Sequence, residues 1–150
     1  MKALFLTLIT LAILTSSCKK EENETADDVY QRNIKLLSEK PWKPALVDKN
    51  PATIPVQNLI RYFAYQSCEL DDTYKFNNDG LSLIKSEGAL SCDNNAENKG
   101  VNYSLDVSKQ IITIDAQVYQ LAELTESQLK FYRVVSAAGG VTTMVYMYEH

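Results

Sequence analysis

The chain has 150 residues, a formal net charge of −4 and basic residues scattered singly through its predicted folded part. Without a basic stripe the surface cannot displace counterions from phosphates, which argues against a nucleic-acid partner. The single histidine, His150, is the last residue, which excludes histidine-rich metal sites and argues against a catalytic triad. We therefore expect no catalytic residues, no metal and no other cofactor.

The first 17 residues have the parts of an export signal. Lys2 supplies a positive start, Ala3–Leu14 form an apolar core too short to span a bilayer comfortably, and small residues precede Cys18. A cysteine at the cleavage point resembles the lipobox of bacterial lipoproteins, with Leu14 one place further away than usual, a spacing associated with Bacteroidetes lipoproteins. The resemblance implies a signal peptide over residues 1–17 and an outer-membrane lipid anchor, with acyl chains such as palmitate, on Cys18. An ordinary signal peptide with an incidental cysteine is the alternative.

An acidic segment follows the cysteine. Lys19–Asp28 contains no apolar residue larger than alanine, so it cannot contribute to a core. We interpret residues 18–28 as a solvated tether that leads into a single domain over residues 29–150. The stretch also resembles export signals that carry some Bacteroidetes lipoproteins to the outer leaflet. Both interpretations stay open, and with them the periplasmic face or the cell surface as the location of the domain.

The domain begins with a predicted short helix over Val29–Lys40, where apolar residues recur among polar ones. Asp27 or Asp28 is expected to cap its start, and Pro41 to end it. A first strand is predicted from Trp42 to Val47. A second short helix is predicted before the next cysteine, because amphipathic spacing connects Val56, Leu59, Ile60, Phe63 and Ala64. A strand is the alternative there, because three aromatic residues favour one: Tyr62, Phe63 and Tyr65.

Everything after Leu70 has strand character. Thr73–Phe76 and Leu81–Ser86 flank Asn77–Gly80, whose Asp-Gly pair is typical of a hairpin turn. Five more strands are predicted at Val101–Val107, Gln110–Asp115, Val118–Leu124, Gln128–Val135 and Val141–Tyr148. The short connections require antiparallel neighbours. With the strand at Trp42, the pattern predicts an all-β fold, an eight-stranded antiparallel up-and-down barrel with a short N-terminal helix.

Three cysteines divide naturally once Cys18 is assigned to lipid, which leaves Cys68 and Cys92 as the intramolecular pair. A disulfide between them would stabilise the fold by roughly 3 kcal/mol. A redox-active or metal-binding pair is the alternative, although redox motifs place their thiols two residues apart and no histidine accompanies these cysteines.

A barrel of eight strands either holds one small ligand or is filled by its own side chains. Alternation along the last strands defines an apolar face that we predict as the ligand lining: Ile112, Ile114, Leu129, Phe131, Arg133, Val135, Val145 and Met147. Arg133 interrupts this face, where it either pairs with an interior acid or closes the barrel mouth. Tyr132, Tyr146 and Tyr148 are predicted to share the opposite face, as strand fillers or as a patch for a partner.

Several segments together resemble the lipocalin-like domain of Bacteroidetes lipoproteins. They are Trp42, the run Cys68–Gly80 with its Tyr-Lys-Phe-Asn-Asn-Asp-Gly hairpin, Cys92, and Tyr119–Thr125. The likeness covers nearly all of the chain after the signal and implies a small lipocalin-type barrel on a lipid anchor. The family offers no catalytic motif to transfer. The chain departs from it at Lys40–Trp42, where many lipocalins have Gly-x-Trp.

Two functions follow from these observations. The first is a non-enzymatic, membrane-anchored protein that binds a small apolar or amphipathic ligand inside the barrel. The second is a filled barrel that serves as a structural or protein-interaction module of an envelope complex. Cavity volume separates them, because binding requires a void. The identity of a ligand, the protein partners and the oligomeric state are not encoded in any pattern of the sequence.

Overall fold

The computed structural model describes residues 24–54, 59–92, 99–137 and 140–150; the predicted signal peptide, Cys18 and Val56 lie outside these ranges. The helix α1 spans Ala26–Ser38 and starts three residues before its predicted first residue. Thr25 is its N-cap, since its side chain accepts a hydrogen bond from the Asp28 N–H and the Asp28 carboxylate accepts one from the Thr25 N–H. The predicted cap at Asp27 or Asp28 was therefore wrong, because Asp28 completes a capping box that Thr25 opens.

In the described part of the chain, nine strands form one sheet, in the spatial order β1-β9-β8-β7-β6-β5-β4-β3, with β2 beside β9. A short 3-10 turn at Pro51–Thr53 lies between β1 and β2. The strands are β1 (Lys43–Pro44), β2 (Leu59–Tyr62), β3 (Thr73–Phe76), β4 (Ser82–Ser86), β5 (Lys99–Asp106), β6 (Ile111–Ile114), β7 (Gln117–Leu124), β8 (Leu129–Ala137) and β9 (Gly140–Glu149).

A bridge between β1 and β3, the two ends of the spatial order, nearly closes the sheet into a barrel. Trp42 and Tyr74 exchange two backbone hydrogen bonds of 2.9 and 2.8 Å, which join the start of β1 to β3. Trp42 is fully buried, and its indole N–H donates to the Leu37 carbonyl of α1 at 2.9 Å. His150 stacks on it with ring centroids 3.7 Å apart. The predicted all-β barrel of eight strands with one short helix is thus confirmed, and β2 is an additional strand beside β9.

The strand β2 corrects one prediction. The segment before Cys68 contains a strand and not a short helix, and it runs parallel to β9, from Leu59↔Thr142 to Tyr62↔Val145. The aromatic residues there favour a strand, and β9 offers an edge that β1 leaves unoccupied, because β1 pairs only near Tyr148. The predicted first strand is correspondingly shorter: after Ala45 the chain leaves the sheet.

The turn and disulfide predictions are confirmed. Gly80, in the turn between β3 and β4, has φ +71°, a conformation that favours glycine. Cys68 and Cys92 form a disulfide with Cα atoms 5.3 Å apart. Two aspartates near Cys68, Asp71 and Asp72, bind the loop that follows β4 and contains Cys92. Asp72 accepts from the Gly88 N–H at 3.2 Å and pairs with Lys85 at 2.9 Å, and Asp71 accepts from the Leu90 N–H at 3.1 Å.

The described residues build two separate hydrophobic clusters. The inner cluster fills the barrel and reaches α1 through Ile34 and Leu37. The outer cluster lies between β9 and the chain that connects β1 with β2, and it contains Ala45, Ile54, Val145 and Met147, with Ile60 and Tyr132 packed against them. Both faces of β9 are therefore covered, whereas an antiparallel strand commonly has one face in the core and the other in solvent.

Candidate functional site

A cavity of about 100 Å³ lies inside the barrel. Its described lining consists of four tyrosines and four apolar side chains, contributed by strands from β3 to β9: Tyr74, Phe76, Leu83, Ile114, Tyr119, Phe131, Tyr146 and Tyr148. Typical small-molecule pockets begin at roughly 300 Å³, whereas an apolar cavity of about 150 Å³ holds one benzene. The space is smaller than that benzene cavity, so it takes at most a single ring or a short alkyl chain.

Strand register explains why these side chains meet. Directly paired residues of neighbouring strands point to the same face, and β8 pairs with β9 through Phe131↔Tyr146 and Leu129↔Tyr148. Phe76 and Leu83 are paired in the same way between β3 and β4. The rings then pack at ordinary aromatic distances, with 4.9 Å between the centroids of Tyr119 and Phe131.

The predicted lining was partly wrong. Phe131 and Ile114 line the cavity, and Leu129 and Ile112 are fully buried in the same inner cluster. Val145 and Met147 belong to the outer cluster instead. Alternating hydrophobicity could not assign the faces of β9, because apolar and aromatic side chains are buried on both of them.

The predicted tyrosine face is also corrected. Tyr146 and Tyr148 point into the barrel, whereas Tyr132, paired with Val145, packs on the outer cluster. A usable signal was present in the sequence: with β8 and β9 joined by a tight turn, Phe131 falls opposite Tyr146. The remaining lining residues that the prediction missed are Tyr74, Phe76, Leu83 and Tyr119.

Burial sets the protonation of the cavity tyrosines. It raises the pKa of Tyr148 well above its usual value, and it also raises the pKa of Tyr74 and of Tyr119. Removal of a phenol from water disfavours its charged form. The hydroxyl groups of these three tyrosines are therefore neutral at physiological pH, and a neutral phenol can both donate and accept a hydrogen bond.

Arg133 lies on the inner face of β8, two residues beyond Phe131. Its Nη1 donates to the side-chain oxygen of Gln117 at 2.8 Å, and its guanidinium carbon lies 6.0 Å from the ring centroid of Tyr119. Its Nε is buried without a hydrogen-bond partner. The predicted pairing with an acid is not what the structure shows, because the described partner is an amide. Val135, next on the same face, is half-buried beside Arg133 at the cleft between β7 and β8.

A buried cation that the sequence analysis did not single out lies on the opposite side of β8. Lys130 is fully buried, with its Nζ 2.6 Å from Asp48 Oδ1, 2.6 Å from the Asn50 carbonyl and 3.2 Å from Glu123 Oε2. A bulge in β7 between Leu121 and Glu123 turns the Glu123 carboxylate outward towards it. These contacts attach the segment after β1 to the barrel wall.

Comparison with known proteins adds no relative: no protein-family model matches the chain, and a search of curated proteins finds no significant match. In residues 24–54, 59–92, 99–137 and 140–150, no helix has the length and hydropathy to cross a membrane. Within the same ranges, no three His, Cys, Asp or Glu side chains lie close enough to hold a metal ion.

Proposed function

We propose that this protein is a lipid-anchored, lipocalin-like binding protein of the bacterial cell envelope, and that its barrel holds a small apolar or amphipathic ligand. The barrel cavity carries the proposal. Protein interiors contain few voids larger than a water molecule, and an empty apolar void of about 100 Å³ costs roughly 2 kcal/mol of stability. A ligand that fills the void would recover that free energy.

The lining defines the chemistry of the ligand. Ring faces and aliphatic groups suit an apolar body, and the tyrosine hydroxyls supply hydrogen bonds for one polar substituent. The volume limits the part inside the cavity to about one six-membered ring or a short branched chain.

Binding is a better account of this cavity than catalysis. Among its described lining residues, the titratable groups are tyrosines, and burial raises the pKa of three of them. A general base needs a pKa near the working pH. His150, the chain's one histidine, packs against Trp42 and lies beside α1 residues outside the cavity lining.

Native mass spectrometry tests the proposal on the exported mature domain with Cys18 removed. A mass excess that disappears on denaturation identifies a retained ligand. In parallel, NMR titration with benzyl alcohol compares wild type with Ile114→Phe, which fills the cavity, and with Leu46→Phe, which adds the same bulk to an exposed position after β1. We expect binding by wild type and Leu46→Phe and its loss in Ile114→Phe. Equal binding by all three proteins would place the probe elsewhere and contradict the proposal.

The small volume favours a second candidate, the filled barrel that acts as a structural or protein-interaction module of an envelope complex. The cavity has about a third of the volume at which ordinary ligand pockets begin. This candidate predicts a bare polypeptide in native mass spectrometry and no benzyl alcohol binding.

The lipid anchor is the second part of the proposal, and it rests on the likeness of the first 18 residues to a lipobox. Metabolic labelling with palmitate should mark the wild-type protein and Cys68→Ser but not Cys18→Ser, which should be uncleaved or released from the membrane. Full membrane retention of an unlabelled Cys18→Ser protein would contradict lipid anchoring. Two or more acyl chains are needed for stable attachment.

A further inference from the structure

Basic side chains face inward at the end of the barrel opposite α1. Register pairs Arg133 of β8 with Met144 of β9, and Met144 with Arg61 of β2, so the three residues lie side by side on one face of three neighbouring strands. It is the inner face, because Phe131 and Tyr146, each two residues along from this row, line the cavity. The two arginines are about 10 Å apart at the backbone, two strand spacings.

Arg133 has unused hydrogen-bonding capacity. A guanidinium offers five N–H donors, and the one described partner is Gln117, which accepts from Nη1. The buried Nε has no partner, and the edge formed by Nε and Nη2 meets no acceptor among the described residues. An unsatisfied buried donor costs free energy that an arriving acceptor would return.

Arg133 also lies where the barrel wall opens. The pairs between β7 and β8 run from Leu124↔Leu129 to Gln120↔Tyr132, and a cleft of about 270 Å³ lies beyond the last pair. Arg133 and Tyr119 both line this cleft, and Tyr119 lines the inner cavity as well. Tyr119 therefore lies between the cavity and the cleft that contains Arg133.

The charges of the two arginines are not neutralised by the described residues. Lys85, a third inward-facing basic group, is paired with the buried Asp72 at 2.9 Å. Asp115 is exposed in the turn between β6 and β7, and within the described part of the chain neither it nor any other carboxylate lies within 4 Å of a nitrogen of Arg61 or Arg133.

We propose that the ligand is a small aromatic or short-chain carboxylate, with its apolar body in the tyrosine-lined cavity and its carboxylate bound by Arg133. The inference rests on the proposed function and specifies its ligand class. A carboxylate matches the planar Nε–Nη2 edge with two parallel hydrogen bonds, and Nη1 keeps Gln117 as its partner. Arg61, exposed on the other side of Met144, adds a longer-range attraction.

Pairs of acids and alcohols separate the effect of the ligand's charge from the effect of its fit in the cavity. Benzoate, phenylacetate and 3-phenylpropanoate place a carboxylate at increasing distances from the same ring, and each is compared with its uncharged primary alcohol by NMR or calorimetric titration. We expect at least one acid to bind about 10-fold or more tightly than its alcohol, with an affinity that falls as salt is added.

The variants assign that preference to residues. Arg133→Gln should weaken the preferred acid about 10- to 100-fold and change its alcohol less than about twofold, whereas Arg133→Lys should retain part of the preference. Arg61→Gln should have a smaller effect on the acid alone. Arg32→Gln removes the same charge from the exposed face of α1 and should change neither affinity. Far-UV circular dichroism and melting curves establish that each variant is folded.

Each outcome decides the question. If acids and alcohols bind equally, or if Arg133→Gln keeps the full preference for the acid, the carboxylate inference is wrong and the proposed binding function stands. If no probe of either kind binds to the wild-type protein, both proposals fail together.

Discussion

The first part of β8, Leu129–Phe131, is buried on both faces, yet the two faces differ in the contacts of their charged groups. On the outer face, Lys130 lies between Asp48, Glu123 and a backbone carbonyl, and the neighbouring Gln128 exchanges hydrogen bonds with the backbone of Val47 and Lys49. Glu123 Oε2 is in ion-pair contact with Lys130 there, at 3.2 Å, but makes no hydrogen bond. On the inner face, the cavity lies beside Phe131, and Arg133 keeps a buried nitrogen without a partner.

The difference separates a structural region from a candidate binding region. Where buried charges are matched by neighbours, the contacts stabilise a particular path of the chain, here the segment from Ala45 to Ile54 on the barrel wall. Where a cavity is empty and a hydrogen-bond donor has no partner, a ligand can fill the cavity and accept the hydrogen bond. The outer face should therefore dominate measurements of stability, and the inner face measurements of binding.

The largest expected effect breaks the outer face. Lys130→Met removes the cation and leaves two buried carboxylates facing each other, so the free energy of unfolding should fall by about 3–5 kcal/mol in a urea titration. The matched control is Lys49→Met in the same segment, whose partner Glu149 is partly exposed; it should cost at most about 1 kcal/mol. Equal losses of unfolding free energy in the two variants would show that the buried ion pairs of Lys130 stabilise the fold no more than an exposed one.

Loss of the disulfide should have the next largest effect. Cys68→Ser with Cys92→Ser opens a loop with a sequence separation of 24 and should lower the stability by about 3 kcal/mol. The melting temperature should fall by several degrees, and a reductant should lower that of wild type but not that of the variant. An unchanged melting temperature would contradict a stabilising crosslink at this end of the barrel.

Lowering the pH should weaken the contacts of Asp48 on the outer face. Burial alone would raise the pKa of Asp48, but hydrogen bonds with Lys130, the Asn50 N–H and Tyr62 outweigh it and hold that pKa below its ordinary value. A lowered acid pKa contributes stability above the unfolded-state value of about 4, and this stability is lost as the pH falls through the lower folded-state value.

Asp48→Asn should therefore cost about 2 kcal/mol at neutral pH, and its difference from wild type should shrink below about pH 4. Urea titrations across pH 2–7 measure this. Tyr62→Phe removes one of the hydrogen bonds to the same carboxylate and should produce a smaller change with the same pH dependence. A difference that is constant with pH would assign the effect to packing and not to the charge.

The smallest expected change in stability belongs to the inner face. Phe131→Leu keeps an apolar side chain but enlarges the cavity, and it should lower the stability by about 1 kcal/mol. Its effect on binding should be large, since a bicyclic probe such as indole should bind the variant and not the wild-type protein. Tyr132→Leu on the outer cluster is the control and should leave the ring-size preference unchanged.

Local patterns in the sequence were sufficient for several elements. The Asn77–Gly80 turn and the short links between the strands from β5 to β9 specify antiparallel neighbours, because tight turns leave no room for crossovers. The pairing of Cys68 with Cys92 was predicted as well, once Cys18 had been assigned to lipid. Along β8, the inward Leu129 and Phe131 were found by alternation alone.

Other features depend on residues distant in the chain. The short β2 has mixed propensities, and its pairing with β9 decides that it is a strand. The outward position of Val145 depends on the cover supplied by Ile54, and the burial of Lys130 depends on Asp48, 82 residues away.

The sequence by itself thus determined the hairpin of β3 and β4, the order of β5 to β9 and the crosslink of this protein, because short-range turn geometry and the few cysteines leave few alternatives. Only the tertiary structure decided which face of β9 lines the cavity, how large that cavity is and which charges remain unpaired. Those properties are set by the covering of a strand on both sides and by the fit of side chains across the barrel, and neither is written in the periodicity of any one strand.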